Sequence, residues 1–229
     1  MISIIIPTYN EADTIAVLLQ YLQEQRKQAP TEIIVVDGGS QDTTVAIAQS
    51  EGAISVISPE KGRAAQMNYG ATLAKGNILY FVHADTFPPP TFIDDINDAI
   101  ASGVGFGRYR TQFDSDKIIL KLNAFFTRFD LFVCYGGDQT LFMNKTLFHS
   151  IGGFNSTMRI MEDYDIVMRA KQKAKYKIIQ KNALISARKY ATNSWFKVQF
   201  ANYTIVKMFK NGATQQQMTE KYKALLAYR

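Results

Sequence analysis

Residues 1–11 read MISIIIPTYNE, residues 32–37 read EIIVVD, and a helical pattern lies between them. Ser3–Pro7 is a short apolar run and a strand candidate. Glu11–Gln28 sets Ile15, Leu18, Leu19 and Leu22 on one helical face. Glu32–Asp37 is a second β-branched run, and it ends on an acid. Strand, helix and strand in that order predict a right-handed crossover and a parallel pair.

The same rhythm continues outward. Asp42 and Thr43 suit the cap of a helix through Gln49, Ala53–Ile57 is a third strand, and Arg63–Ala74 is a third helix bounded by Gly76. Asn77–Val82 is a fourth strand ending at His83-Ala84-Asp85. Pro88 to Pro90 stop it, and Thr91–Ala101 restarts as a helix. The strands are almost wholly apolar, as strands covered on both faces are. The expected class is α/β, an αβα sandwich around a mostly parallel sheet. Ligands of such sheets lie beyond the carboxyl ends of the strands. Polar residues gather there: Thr8, Asn10 and Glu11 after the first strand, Asp37 after the second and Asp85 after the fourth.

The second half is less regular. Gly103–Phe113 reads as a strand, Ile118–Phe132 as an aromatic helix, and Gln139–Met143 as a short strand. Glu162–Ala174 reads as a helix and Tyr176–Ile185 as a strand, with Trp195–Lys210 and Gln215–Tyr228 as two closing helices. No internal repeat, low-complexity tract or linker divides the 229 residues, so one domain is expected.

The hydrophobic share of 47% and charged share of 20% are globular values and exclude a disordered or fibrous chain. No apolar run approaches the ~18 residues of a membrane span. The first apolar run is too short for a signal peptide and has no basic residues before it. A single cysteine, Cys134, excludes an internal disulfide framework and a cysteine-rich zinc site. These absences favour the cytoplasm. Net charge is +6, unevenly spread: residues 1–114 hold 7 Lys+Arg against 13 Asp+Glu (−6), and residues 115–229 hold 19 against 7 (+12). A basic half attracts phosphate, whether on a small molecule, an anionic lipid or a nucleic acid.

Five constellations carry candidate chemistry, and each has a plainer reading. Pro7-Thr8-Tyr9-Asn10-Glu11 with Asp37-Gly38-Gly39-Ser40 can accept from a base or a ribose hydroxyl, or can simply be a turn in which Asp37 caps the next helix. Lys61-Gly62-Arg63 before a helix is an anion site or a solvated loop. His83-Ala84-Asp85 places a hard oxygen ligand for Mg²⁺ or Mn²⁺ at a strand end, or a carboxylate capping the helix that starts near Thr91. Glu162-Asp163-Tyr164-Asp165 holds a general base, or only acids that favour a helix N-terminus. Arg188-Lys189-Tyr190 and the aromatic, basic segment from Trp195 to Lys210 form a packed closing helix, a dimer contact or an interfacial surface. No recognised nucleic-acid motif is present.

The order of these pieces is more specific than any one of them. Pro-Thr-Tyr-Asn-Glu, then V-V-D-G-G-S-x-D-x-T at 35–44, K-G-x-x-x-x-x-N-x-G at 61–70, H-A-D-T at 83–86 and M-E-D at 161–163 resemble the family 2 glycosyltransferases. The resemblance covers about residues 2–190. Tyr135-Gly136-Gly137-Asp138-Gln139, Ile151-Gly152-Gly153-Phe154 and Arg188-Lys189-Tyr190 look like a small soluble subgroup of that family. The resemblance implies a GT-A type, Rossmann-like fold: a nucleotide-binding half at 1–114, an acceptor and catalytic half at 115–190, and a helical closure at 191–229. It implies inverting transfer of a sugar from a UDP- or GDP-sugar to an acceptor hydroxyl, assisted by Mn²⁺ or Mg²⁺. Pro7, Thr8, Glu11, Asp37, Arg63 and Asp85 then face the nucleotide, Asp85 also holding the metal. Asp163 is the catalytic base, and Glu162, Arg188 and Lys189 lie near the phosphates or the acceptor. The sequence departs from the family at His83, where the first acid of the D-x-D motif is expected, and at 188–190, which match Q-x-x-R-W only in part. Acceptor identity is open and includes a lipid-linked one, as are peripheral membrane contact and a homodimer; no nucleic-acid partner is expected. The competing readings are a non-catalytic nucleotide-binding module and a basic membrane or nucleic-acid adaptor.

Overall fold

The computed structural model describes residues 1–26, 28–136 and 140–226. Eight strands form one sheet: β1 (Ile2–Thr8), β2 (Thr31–Asp37), β3 (Ile54–Ile57), β4 (Ile78–Phe81), β5 (Thr86–Phe87), β6 (Phe106–Phe113), β7 (Leu141–Asn144) and β8 (Tyr176–Ile185). Their spatial order is β3-β2-β1-β4-β7-β6-β8-β5. The pairs β1·β2, β1·β4, β2·β3 and β6·β8 are parallel, whereas β7 runs antiparallel between β4 and β6, and β5 antiparallel to β8. The expected mostly parallel αβα sandwich is the observed fold.

Side-chain alternation along the central strands builds the layers. Ile2, Ile4 and Ile6 of β1, Ile33 and Val35 of β2, and Tyr80 of β4 enter one core with α1 (Ala12–Arg26), α2 (Thr44–Ser50) and α4 (Phe92–Ala101). Ile5, Ile34, Val36, Leu79 and Phe81 point the other way. They meet α3 (Arg63–Leu73), α6 (Lys145–Ser150), α7 (Glu162–Lys171), α9 (Trp195–Lys210) and α10 (Gln215–Leu225). Full burial of each such side chain stabilises by about 1.5–3 kcal/mol. Ser3 interrupts the apolar run without cost, donating to Glu32 Oε1 at 2.6 Å and accepting from the Gly76 amide at 2.8 Å.

Several boundaries differ from the sequence reading. The helix expected over Ile118–Phe132 is α5 (Ile118–Phe126). Thr127 ends it, its hydroxyl donating to the Ala124 carbonyl and accepting from the Thr111 amide. A 3₁₀ turn follows at Phe132–Cys134. The strand expected from Gly103 begins at Phe106, because Gly103 has φ 84°. Strand β5 and the short helices α6 and α8 (Lys189–Thr192) have no periodicity that a sequence reading could use. Gly137, Asp138 and Gln139 of the expected strand and motif, and Tyr228 at the expected end of the last helix, lie outside the described residues.

Candidate active site

The loops after β1, β2, β3, β4 and β8 meet at one edge of the sheet, where the dipeptide-scale accidents of each loop decide what faces outward. Asp37 ends β2 opposite Thr8 of β1 and is fully buried. Its Oδ1 accepts from the amides of Gly39 and Ser40 at 2.8 and 2.7 Å, and its Oδ2 from the hydroxyls of Thr8 and Ser40 at 2.9 and 2.6 Å. Those four donors occupy the lone pairs of the carboxylate. The reading in which Asp37 caps the next helix does not hold. Helix α2 starts at Thr44, whose amide donates to Asp42 instead.

The neighbouring turns are bound to this one. The Asn10 amide donates to Ser40 Oγ at 2.7 Å, and Asn10 Oδ1 accepts from the Gln41 amide at 2.8 Å. Asn10 has φ 53°, a left-handed conformation that Asn tolerates better than most residues. The Glu11 amide donates to Thr44 Oγ1 at 2.9 Å. Thr44 Oγ1 in turn donates to Asp42, and this bond holds the Asp42 carboxyl below the usual range. Buried Gln66 of α3 donates to the carbonyls of Thr8 and Val36 at 2.7 and 2.8 Å. Ser40 and Thr44 stand in the motif quoted at 35–44, but nothing there assigns their hydroxyls these partners; Gln66 was not singled out in the sequence, where its only signal is hydrogen-bonding capacity, which many residues share.

Across the edge, β4 and β8 supply a different corner. Arg188, just past β8, donates from Nη1 and Nη2 to the two carboxylate oxygens of Glu11 at 2.8 and 2.7 Å, across 177 residues of chain. Its Nε lies 3.1 Å from Asp85 Oδ2. The Ser186 amide donates to the Asp85 carbonyl at 3.2 Å, which fixes the two loops side by side. The structure thus brings together Glu11, Asp85 and Arg188, three of the residues named from sequence. Lys189 diverges from them and stands 6.0 Å from the Tyr222 ring centroid in α10. His83 is buried beside Asp85 in the chain. Among the described residues, no group of three or more His, Cys, Asp and Glu side chains converges as a metal cage.

The third component comes from α7. Arg63 opens α3 directly after Gly62, whose φ of 122° a side chain would resist. Arg63 Nη1 lies 3.4 Å from Oε1 of buried Glu162. That pair ties the first turn of α7, and so half-buried Asp163, to the sheet edge. Met161 precedes them at φ 70°, the second non-glycine residue in the left-handed region. Such conformations persist where surroundings over-determine them. Here the Arg159 and Ile160 amides both donate to Gln215 Oε1 of α10. Asp165, itself largely buried, is engaged in an ion pair with Arg169 one turn along α7 at 2.5 Å. Asn68 also serves structure. Its amide group exchanges two hydrogen bonds with the Phe154 backbone, beside Gly153 at φ 66°.

A profile for the family described as Glycosyl transferase family 2 matches residues 3–166. The chain is 30% identical over 190 residues to a PGL/p-HBAD biosynthesis glycosyltransferase of Mycobacterium bovis, covering 74% of this chain and 69% of that one. Among solved structures it resembles the mannosyltransferase PcManGT from Pyrobaculum calidifontis in complex with GDP-Man and Mn²⁺. That match has a TM-score of 0.69 at 17% identity, over 98% of this chain and 69% of the other. It also resembles S. aureus TarS 1-349 in complex with UDP-GlcNAc, with a TM-score of 0.66 at 16% identity, over 98% and 71%.

Proposed function

The chain belongs to glycosyl transferase family 2 and is a glycosyltransferase, and from that premise we propose that it moves a sugar from a nucleoside-diphosphate sugar to an acceptor hydroxyl by a single displacement with inversion. The observation that carries this reading is the Arg188 bridge between Glu11 and Asp85 at the carboxyl ends of three strands. It sets one cation and two acids where an αβα sheet receives its ligand.

In this reading Pro7, Thr8, Glu11 and Asp37 line the nucleoside side. Asp37, with its oxygens already engaged, holds the Gly38–Ser40 turn in the shape that receives base and ribose. Arg63 and Arg188 face the diphosphate, where a guanidinium offers paired donors to phosphate oxygens. Asp85 is the hard oxygen ligand for Mn²⁺ or Mg²⁺. That one carboxylate would hold such an ion, which would supply positive charge against the leaving diphosphate. Arg188 gives up its hold on Asp85 and turns its donors to the phosphates. Asp163 takes the proton of the acceptor hydroxyl as that oxygen attacks the anomeric carbon from the face opposite the diphosphate. Glu162 keeps Arg63 oriented, and Lys189 adds positive potential at the rim.

Exchanging Asp163 for Asn tests the assignment. Transfer is expected to fall by roughly 10²–10⁴-fold, the usual contribution of a positioned base. Calorimetric binding of UDP, GDP and their sugar conjugates, with Mn²⁺, Mg²⁺ or chelator, is expected to be unchanged. Wild-type transfer by the variant rules the role out.

A further inference from the structure

Helix α5 has the sequence IILKLNAFF, yet Leu120 is its only buried side chain. Ile118 is 83% exposed, and Leu122, Phe125, Phe126, Phe129, Leu131 and Val133 also face solvent. A surface helix ordinarily turns such a face inward. This one is held by polar anchors instead: the Thr127 hydroxyl receives the Thr111 amide at 2.9 Å, and buried Arg108 reaches the Phe129 carbonyl at 3.4 Å. Helix α9 does the same on one side. Val198, Ala201 and Ile205 are buried, while Phe196, Phe200 and Tyr203 form an exposed aromatic stripe, Phe196 at 76%. A contiguous apolar surface of this kind marks an interaction site.

Three contacts bring the two segments close to each other and to the active site. The Tyr190 ring, just ahead of α9, meets Phe113 at 5.5 Å, and Lys210 at the other end of α9 lies 4.6 Å from the Phe132 ring centroid. The Asp114 amide donates to the Ile185 carbonyl at 2.8 Å, one residue before Ser186, which holds Asp85.

Charge selects the occupant. Residues 117–133 carry Lys117, Lys121 and Arg128 against one acid, Asp130, which is paired with Lys171 at 2.5 Å, and α9 carries Lys197, Lys207 and Lys210 and no acid. Asp116, at the margin, pairs with Lys121 at 3.1 Å, both in open solvent. A second copy of the chain would set cations against cations. We propose that the 117–133 segment and the outer face of α9 dock on an anionic lipid bilayer, with the aromatic and aliphatic side chains in the headgroup boundary and the lysines on the phosphates. The active site then opens toward an acceptor carried in that bilayer, a clause that rests on the transfer reading above. No helix among the described residues is long and apolar enough to cross a membrane, so the contact is interfacial.

Flotation with vesicles of phosphatidylcholine alone, or with about 30% phosphatidylglycerol, tests the surface. The protein is expected to float with the anionic vesicles and to be released as salt rises. Leu122→Ser with Phe125→Ser, and Phe196→Ser with Phe200→Ser, are each expected to cut the bound fraction at least fivefold at unchanged thermal midpoint. No flotation, equal flotation of the variants, or light-scattering dimers that these substitutions dissociate would overturn the proposal. Calorimetric donor binding, measured on the unsubstituted protein, separates the two ideas. Flotation without donor binding leaves the surface standing and removes the nucleotide-sugar reading. Donor binding without flotation does the reverse.

Discussion

Asp37 and Asp85 both follow the apolar run of a buried strand in the same sheet, Asp37 as the last residue of β2 and Asp85 four residues past β4, and the molecule uses them differently. Asp37 is sealed by four donors from within its own and the adjoining turn, none farther than 29 residues along the chain. Asp85 is met by a guanidinium that folding delivers from beyond β8, and that guanidinium is more than half exposed. The first acid shapes a loop. The second is tied to a cation that reaches solvent and that also holds Glu11, and the proposed function has that cation exchange for metal and phosphate.

This contrast breaks most sharply at Asp37→Ala. Four donors lose their acceptor, two of them backbone amides in a half-buried turn, and the expected loss of stability is about 3 kcal/mol in urea unfolding. A loss under about 1 kcal/mol would place Asp37 with Asp85. Asp85→Ala is expected to cost clearly less stability than Asp37→Ala, since Arg188 keeps its two bonds to Glu11 and is itself more than half exposed. Its effect should instead be a loss of the metal-dependent part of donor binding, roughly tenfold or more, in calorimetry with and without chelator. Arg188→Met should follow the same pattern. Unfolding of either variant at low urea would make the second corner structural too.

The smallest effect is one of pH. The Thr44 hydroxyl holds the Asp42 carboxyl low in the folded protein. A depressed carboxylate contributes stability that is complete above its unfolded pKa, near 4, and is lost as pH falls through the folded value. The acid limb of the stability profile below pH ~4 should therefore be slightly shallower in Asp42→Asn than in wild type. An unchanged limb would count against a role for Asp42 in pinning the first turn. Asp42 is fully exposed, so the difference is small.

How much of this was legible depends on range. The αβα sandwich was readable because β1, β2 and β4 carry runs long and apolar enough to be covered on both faces, with α1 between the first two and α2, β3 and α3 between the second two. Acids at strand ends were readable for the same reason. The sealed state of Asp37 was half readable: Thr8 and Ser40 stand in quoted motifs, but nothing in them says that their hydroxyls turn toward the acid. The antiparallel insertion of β7 between β4 and β6 was not readable, because a four-residue strand has no period of its own. Met161 gave no sign of its left-handed backbone. That conformation is held from α10 by Gln215, which lies 55 residues or more from the amides it receives.

The sequence by itself determined the sheet class, the family and the edge at which the candidate site residues gather, because hydrophobic periodicity and strand-end polarity are local properties of the chain. Only the tertiary structure decided that Arg188 rather than Lys189 meets Asp85, that Asp165 is spent on Arg169, and that α5 turns its apolar face outward. Each of those outcomes is a choice among partners distant in sequence or equally spaced on a helix, and only the packed geometry separates such candidates in energy.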